Sequence, residues 1–338
     1  MEHTKQLLRV AEIETVAPYV NRYRFTAAQG APAPFLPGQF LCLYYEIDGA
    51  TAVRPYSIAS SPKEAARGGY YDLFIHVGGS FTSRWLGRHI TVGDTVMASH
   101  PLGEFCICPQ TPQKIVGISG GMSVTPLRSM VRSIVDESTD REITLFCGWD
   151  TSREVLFREE FMQLARECSR VHVQFSLVQD PQPGDKQGYF TSQDILRETD
   201  AHAAAYYLCG PQEMYHSLHD GLIAGGVTSE RYHQEIPGEL HSPDYATAPA
   251  EQYPLTIQTD SGSITVTANA NESVLVALER AGLSPRAYCR SGSCGFCRSL
   301  LLEGQVWTDP GRAKPPENSV FHPCCSFPRS ALTVALPK

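Results

Sequence analysis

The stretch Cys289-Arg290-Ser291-Gly292-Ser293-Cys294-Gly295-Phe296-Cys297 places three cysteines close together near the end of the chain. A further cysteine, Cys324, follows after 26 intervening residues. Four residues, then two, between cysteines, followed by a distant fourth, is a spacing with which thiolates hold a [2Fe–2S] cluster. Such a cluster carries single electrons at low potential. The predicted ligands are Cys289, Cys294, Cys297 and Cys324.

Two glycines in this stretch, Gly292 and Gly295, permit the loop to wrap so that backbone N–H groups face sulfur. A zinc site is the main alternative, but structural zinc usually takes two separated pairs of cysteines. A disulfide framework fits less well, because the sequence opens on the charged stretch Met1-Glu2-His3-Thr4-Lys5 without a signal peptide. The cluster is therefore the preferred interpretation.

The length and charge of the chain limit the number of domains and the classes of partner. A chain of 338 residues is expected to form two or three domains. The net charge of −8 and the absence of a long Lys or Arg run argue against nucleic acid as a partner. No apolar stretch approaches the roughly 20 residues that span a bilayer. The sequence therefore predicts a cytoplasmic protein without a transmembrane segment.

The region around the cysteines forms a small unit of its own. Residues 237–252, rich in Pro, Ala and polar side chains, predict a linker. Beyond it, two runs alternate with period two around Asp260-Ser261-Gly262 and predict a hairpin, while 272–282 has helical spacing and ends on glycine. Hairpin, helix and cysteine loop together predict a β-grasp [2Fe–2S] domain over 253–338.

Two further patterns precede the linker. Residues 1–110 contain many short strand-like runs, such as 40–45, separated by Pro and Gly, which predicts an antiparallel β-barrel. In residues 111–236 apolar strands alternate with helical stretches, which predicts βα units on a parallel, Rossmann-like sheet. The expected fold class is therefore multidomain, α/β and β, with the three domains in series.

The predicted barrel carries a motif suited to a flavin. Arg54-Pro55-Tyr56-Ser57 offers a guanidinium for a phosphate, a ring for stacking and a hydroxyl for the polar edge of the isoalloxazine. A solvated arginine beside a core tyrosine is the alternative. In Gly78-Gly79-Ser80-Phe81-Thr82-Ser83, hydroxyls could cap a helix starting at Arg84 and present N–H groups to a pyrophosphate.

With these motifs the chain resembles the ferredoxin–NADP reductase superfamily. Within it, the chain is similar to reductases that have flavin, nicotinamide and plant-type ferredoxin domains in that order, a group that serves multicomponent oxygenases and hybrid-cluster protein. The segment Pro101-Leu102-Gly103-Glu104-Phe105 looks like the FAD branch rather than the FMN branch. The resemblance implies that Gly79 meets the flavin phosphates together with either Thr82 or Ser83. The residues it implies for the flavin signature are Arg54, Tyr56 and Ser57.

The resemblance also implies a nicotinamide site made by two turns. One is Gly117-Ile118-Ser119-Gly120-Gly121-Met122-Ser123-Val124-Thr125-Pro126, where the family usually has Thr or Ser and then Gly in place of Met122 and Ser123. The other is Cys209-Gly210-Pro211, and Glu235 stands where the family often has a carboxylate before an aromatic residue. The implied catalytic residues flanking the reacting carbon are Cys209 and Thr125. The implied cofactor-binding residues are Gly120, Gly121, Gly210 and Pro211.

Asp150 bears on which nicotinamide is used. It follows the second predicted strand of the Rossmann-like domain, where a carboxylate suits a free ribose 2′-hydroxyl and a cation suits a 2′-phosphate. The sequence predicts NADH over NADPH. Two alternatives stay open: Thr151, Ser152 and Arg153 could form a phosphate clamp, or Asp150 could cap the next helical segment.

The fourth cluster ligand has two candidates, because Cys324 and Cys325 are neighbours. Members of the family place a proline four residues after the last ligand, followed by a strand. Pro328 and the run 332–334 fit this pattern if Cys324 is the ligand. The resemblance therefore implies that Cys325 is dispensable.

A function follows from the three cofactors. A hydride carries two electrons and the cluster accepts one at a time, so a flavin is needed between them. We expect electrons to pass from NAD(P)H through FAD to the [2Fe–2S] cluster, and on to a separate protein such as an oxygenase or hybrid-cluster protein. The alternatives are an electron-input subunit of a larger redox complex and a flavin and iron–sulfur redox sensor.

Overall fold

The computed structural model describes residues 4–47, 50–79, 81–137, 139–235, 251–259, 262–283, 285–290, 292, 295–308 and 319–336. Cys294 and most of the predicted linker, 237–252, lie outside the described residues. The chain divides into two compact units, Met1–Leu43 with Tyr56–Ile236 and Tyr44–Pro55 with Pro237–Lys338. Within the described ranges no helix is long and apolar enough to cross a membrane.

The first sheet has six strands in the order β4-β3-β6-β1-β2-β5. An isolated antiparallel bridge between Ile58, just after β4, and Leu73 in β5 brings its two ends together, as the predicted barrel requires. Ser61 and Glu64 form a capping box on the first helix, α1. The elements are β1 (Lys5–Ala17), β2 (Val20–Ala27), β3 (Phe40–Ile47), β4 (Ala50–Ser57), α1 (Pro62–Gly68), β5 (Tyr70–His76), α2 (Phe81–His89) and β6 (Thr95–Ser99).

The second sheet is parallel, in the order β10-β9-β8-β7-β11-β12. Its strands read as apolar runs because helices cover both faces. They are β7 (Lys114–Gly120), β8 (Glu142–Trp149), β9 (Val171–Leu177), β10 (Lys186–Gln187), β11 (Ala205–Cys209) and β12 (Tyr232–Glu235). The helices are α3 (Thr125–Asp136), α4 (Arg158–Glu167), α5 (Ser192–Glu198) and α6 (Gln212–Ala224).

The order of these strands creates a switch point. In the sheet, β7 lies between β8, the next strand of this sheet in the chain, and β11, which comes later in the chain. The direction in which strands are added therefore reverses at β7. In open α/β sheets, ligands bind at the carboxyl ends of strands where the order reverses in this way. Gly120 ends β7 and Cys209 ends β11, so both predicted nicotinamide turns begin there.

The second unit contains a mixed sheet, β14-β13-β19-β15-β17, and a two-stranded sheet, β16-β18. The predicted hairpin and helix are confirmed, and Ser273 caps the helix by accepting from the N–H of Val276. The first strand begins at Gln252, the last residue of the predicted linker. The elements are β13 (Gln252–Thr259), β14 (Gly262–Asn269), α7 (Val274–Arg280), β15 (Ser299–Glu303), β16 (Val306–Thr308), β17 (Val320–Phe321), β18 (Ser326–Pro328) and β19 (Leu332–Ala335).

Candidate functional site

The two turns at the switch point pack directly against each other. A Cβ atom on Gly120 would lie 2.9 Å from Cδ of Pro211 and 2.9 Å from Sδ of Met214, and one on Gly210 would lie 2.7 Å from Cε of Met214. Gly121 has a φ of 60°, in the left-handed region. The close packing of the two turns therefore requires glycine at positions 120 and 210, because any side chain there would clash with Pro211 or Met214.

Cys209 and Thr125 both lie at this edge. Thr125 opens α3, is buried, and donates from Oγ1 to the carbonyl of Met122 at 3.5 Å. Burial raises the pKa of the Cys209 thiol well above its usual value, the charge of Glu235 adds to the effect, and a hydrogen bond with Ser123 opposes it. The thiol is therefore neutral, which suits a packing and positioning group better than a nucleophile.

Ser57 and Glu235 meet at the ends of β4 and β12. Ser57 Oγ donates to Glu235 Oε1 at 3.1 Å, so the flavin signature is joined to the strand next to β11. The hydroxyl of Tyr215 accepts from the N–H of Gly210 at 3.1 Å and donates to the carbonyl of Glu235. In the sequence, Glu235 is followed by Ile236 and not by the aromatic residue that the family often has there. Tyr215 was not predicted as a site residue, because its position in a helix is typical of a core residue.

The flavin phosphate turn differs from the prediction at one point. Helix α2 begins one residue before Thr82, so Thr82 and Ser83 lie inside its first turn and do not cap a helix that starts at Arg84. Both side chains are buried. A Cβ on Gly79 would lie 3.1 Å from Nδ1 of His76 and 3.6 Å from Oγ of Ser83, and Arg84 Nη1 donates to the Gly79 carbonyl at 2.6 Å. Ser83 is thus close to the Gly79 turn.

The remaining members of the flavin signature lie along β4. Arg54 donates from Nη1 to the carbonyl of Val53 at 2.8 Å and lies 3.9 Å from Oε2 of Glu279. Both Arg54 and Tyr56 are half-buried, which leaves part of each side chain open to a ligand. A half-buried guanidinium, an aromatic ring and the Ser57 hydroxyl on one strand fit a flavin.

The cysteine loop orients one member of the Cys324–Cys325 pair toward the other ligands. Sγ of Cys324 lies 3.3 Å from Sγ of Cys297, and the N–H of Gly292 donates to it at 3.3 Å. Sγ of Cys325 instead donates to the carbonyl of His322 at 3.6 Å. With Cys294 outside the described part of the chain, the remaining side chains there form no complete metal site. Paired thiols with an inward N–H fit a [2Fe–2S] cluster.

A buried ion pair that the sequence analysis did not anticipate anchors this loop. Arg290, next to the predicted ligand Cys289, is 1% exposed and forms a bidentate pair with Glu279 of α7 at 2.6 and 2.9 Å. A buried guanidinium is costly unless its hydrogen bonds are satisfied. The pair therefore holds the loop against the helix.

Two carboxylates near the end of β8, those of Asp150 and Asp180, already accept hydrogen bonds. Asp150 accepts from the hydroxyl of Tyr189, which raises the pKa of the tyrosine. Ser152 donates from its N–H at 2.7 Å and its hydroxyl at 2.5 Å to Asp180, which lowers the pKa of that carboxyl. The two donors of Ser152, one residue of the alternative phosphate clamp, are thus already used. Asp150 caps no helix either, because Thr151 precedes the following 3₁₀ segment.

Comparison with known proteins identifies all three predicted domains. Protein-family profiles match residues 7–107 as an oxidoreductase FAD-binding domain, 118–220 as an oxidoreductase NAD-binding domain and 258–329 as a 2Fe-2S iron-sulfur cluster binding domain. Together with the sheets described above, these matches confirm the predicted fold class. They also support FAD, a nicotinamide and a [2Fe–2S] cluster as the cofactors.

Several characterised relatives span nearly the whole chain. The glycine betaine monooxygenase reductase subunit of Chromohalobacter salexigens is 25% identical over 93% of this chain and 91% of its own. The stachydrine N-demethylase reductase subunit of Rhizobium meliloti is 26% identical over 94% and 93%. The structure of phthalate dioxygenase reductase shares the fold with a TM-score of 0.72, 23% identity and coverage of 99% and 98%. The chain is an oxidoreductase that belongs to the ferredoxin–NADP reductase superfamily, in the group with a C-terminal 2Fe–2S domain.

Proposed function

We propose that this chain is the reductase component of an oxygenase system, which takes electrons from NADH and passes them to a separate oxygenase protein. The observation that carries the proposal is the meeting of Ser57, Glu235 and Cys209, which joins the flavin signature to the nicotinamide turns. The named relatives, reductase subunits of a monooxygenase and of a demethylase, support an oxygenase as the acceptor. Hybrid-cluster protein has no such support.

The side chains position the cofactors and take no covalent part. FAD, when bound, supplies the chemistry that accepts a hydride and delivers electrons one at a time. Gly120, Gly121 and Gly210 let the backbone approach the dinucleotide, while Thr125 and the neutral Cys209 flank the nicotinamide. The neutral thiol adds no negative charge near the leaving hydride. No residue has to act as a general acid or nucleophile.

NADH is the proposed electron donor. Asp150 would accept a hydrogen bond from a ribose 2′-hydroxyl and repel a 2′-phosphate. Asp180 supports the same preference, because its carboxylate already uses both donors of Ser152 that a phosphate would need. Two negative charges at one edge disfavour NADPH.

Steady-state assays of the purified holoprotein test the proposal. We expect rapid NADH-dependent reduction of an artificial one-electron acceptor, and oxygenase turnover when the partner is added. Slow reduction of every acceptor would instead indicate a redox sensor. Stable co-purification with further subunits from the native cell would indicate an electron-input subunit of a larger complex. Pull-down from that cell, followed by reconstitution, identifies the acceptor.

A further inference from the structure

Arg128 of α3 connects the nicotinamide sheet to the barrel through a buried guanidinium. Nη1 donates to the carbonyl of Ala59 at 2.8 Å. Nη1 and Nη2 also donate to the two carboxylate oxygens of Glu64 at 3.0 and 3.1 Å, and Nε donates to Glu160 at 2.8 Å. The side chain is 13% exposed. Its hydrogen bonds are therefore directed at three separate parts of the chain: the segment after β4, helix α1 and helix α4.

The position of Arg128 along α3 brings these contacts close to both proposed cofactor sites. Thr125, which flanks the nicotinamide in the proposed function, is three residues earlier, or about 4.5 Å along the helix axis. Ala59 is two residues after Ser57 of the flavin signature. Arg128 thus links the start of α3, which adjoins the proposed nicotinamide site, to the segment after β4, which adjoins the proposed flavin site.

A second bond runs parallel to the first. Ser129 Oγ donates to the carbonyl of Ser60 at 2.8 Å, and both serines are fully buried. In addition, Ser57 is bound to Glu235 of β12. Residues 57–60 are thereby held at three points, two on α3 and one on β12. A segment held in this way has little freedom to move relative to the nicotinamide turns.

We propose that Arg128 is a positioning residue for hydride transfer, which sets the separation of the nicotinamide and the flavin ring through the Ala59 carbonyl. The inference rests on the proposed function, because it requires both cofactors at this edge. Hydride transfer is sensitive to such alignment: a misplacement of about 1 Å can cost on the order of 100-fold in rate. Arg128 would act on the rate within the complex more than on the affinity for NADH.

Arg132 provides a matched control on the same helix. It lies one turn further along α3 and faces the same carboxylates, with Nε 3.8 Å from Glu64 and 3.9 Å from Glu160, and Nη2 3.0 Å from Asp136. Among the described hydrogen bonds it makes none to residues 57–60. Replacing Arg132 changes the same carboxylate network while residues 57–60 stay held, so it separates stabilisation from positioning.

The experiment compares Arg128→Lys and Arg132→Lys in the flavin-loaded, full-length protein. A lysine keeps the charge but cannot make the forked contacts of arginine. Stopped-flow mixing with NADH gives the limiting rate of flavin reduction, the apparent NADH Kd and the long-wavelength absorbance of the stacked nicotinamide and flavin. For Arg128→Lys we expect a rate roughly tenfold or more lower and a weaker stacking band, with a Kd within about threefold of the parent. For Arg132→Lys we expect the parent rate and band.

The outcomes separate this inference from the proposed function. A parent protein whose flavin no nicotinamide reduces would refute the function itself. A parent that is reduced, with an Arg128→Lys variant of equal rate and equal band, refutes only the positioning role, as does an equal loss in both lysine variants. If Arg128→Lys does not fold, Arg128→Gln carries the test: a slower rate and a weaker band with full flavin content support the inference, and parent behaviour overturns it.

Discussion

At the scale of single residues, the adjacent cysteines differ in what their sulfur atoms face. Cys324 receives the N–H of Gly292 and lies beside Cys297, whereas Cys325 is turned toward His322. We expect Cys324→Ser to abolish or severely perturb the cluster, because an alkoxide is a poor substitute for a thiolate ligand. Cys325→Ser should leave the visible absorbance and the paramagnetic resonance signal intact. The reverse pattern would show that the assignment is shifted by one residue.

We also expect the preference between NADH and NADPH to depend on single side chains. We expect a higher kcat/KM for NADH than for NADPH, and a shift toward NADPH of at least about tenfold in Asp150→Arg, equivalent to about 1.4 kcal/mol. The cause is the exchange of repulsion for attraction at the 2′-position. Asp220→Arg makes the same charge change at an exposed position on α6 and should leave the ratio unchanged. A clear preference of the parent for NADPH would reject the prediction.

Residues that belong to short local motifs could be proposed from the sequence, and residues that act through distant partners could not. The resemblance of their turns to the family implied Gly120, Gly210 and Cys209, and their roles stay predictions. Arg128 and Asp180 look like ordinary charges on a helix and in a loop. Their roles depend on partners 69 and 28 residues away, which no local pattern encodes.

At the scale of elements, the start of α2 places Ser83 rather than Thr82 beside the predicted flavin phosphate turn. Ser83 lies beside the Gly79 turn, so we expect Ser83→Ala to weaken FAD binding severalfold, the effect of losing one hydrogen bond of about 1 kcal/mol. Thr82→Ala is the matched variant and should weaken binding less. Fluorescence titration of the flavin-free protein with FAD measures both. A larger loss in Thr82→Ala would assign the contact to Thr82.

Elements with clear periodicity were predicted well, and element boundaries less so. The hairpin β13–β14 and helix α7 follow from alternation and from a helical pattern that ends on glycine. The start of α2 was misplaced because Ser80, Thr82 and Ser83 all suit a helix cap, and the sequence does not rank them. The start of β13 was predicted late because the polar Gln252 resembles the linker before it.

At the scale of the whole molecule, the cofactors should work in series. We expect a Cys294→Ser variant to keep flavin reduction by NADH while losing transfer to a one-electron protein acceptor, because the cluster lies between flavin and partner in the proposed route. Stopped-flow flavin reduction and acceptor turnover measure the two steps separately. A variant that still reduced its natural partner at the parent rate would contradict the order.

The order of the three domains could be predicted from the sequence because each domain has its own hydrophobic periodicity and its own motif. The grouping of residues 44–55 with the second compact unit was not, since it depends on contacts between distant parts of the chain. The cytoplasmic location and the domain limits 1–110, 111–236 and 253–338 stay predictions.

The buried pair of Arg290 and Glu279 has a consequence for how the protein is made. Removing Glu279 would leave the Arg290 guanidinium buried without this partner, a change that costs about 3–5 kcal/mol in buried pairs. The pair fixes Arg290, and with it the neighbouring Cys289, against α7 through contacts that need no iron. We therefore expect the folded polypeptide to hold Cys289 near its place before a cluster is inserted, so that a protein that has lost its iron can take up a new cluster without unfolding.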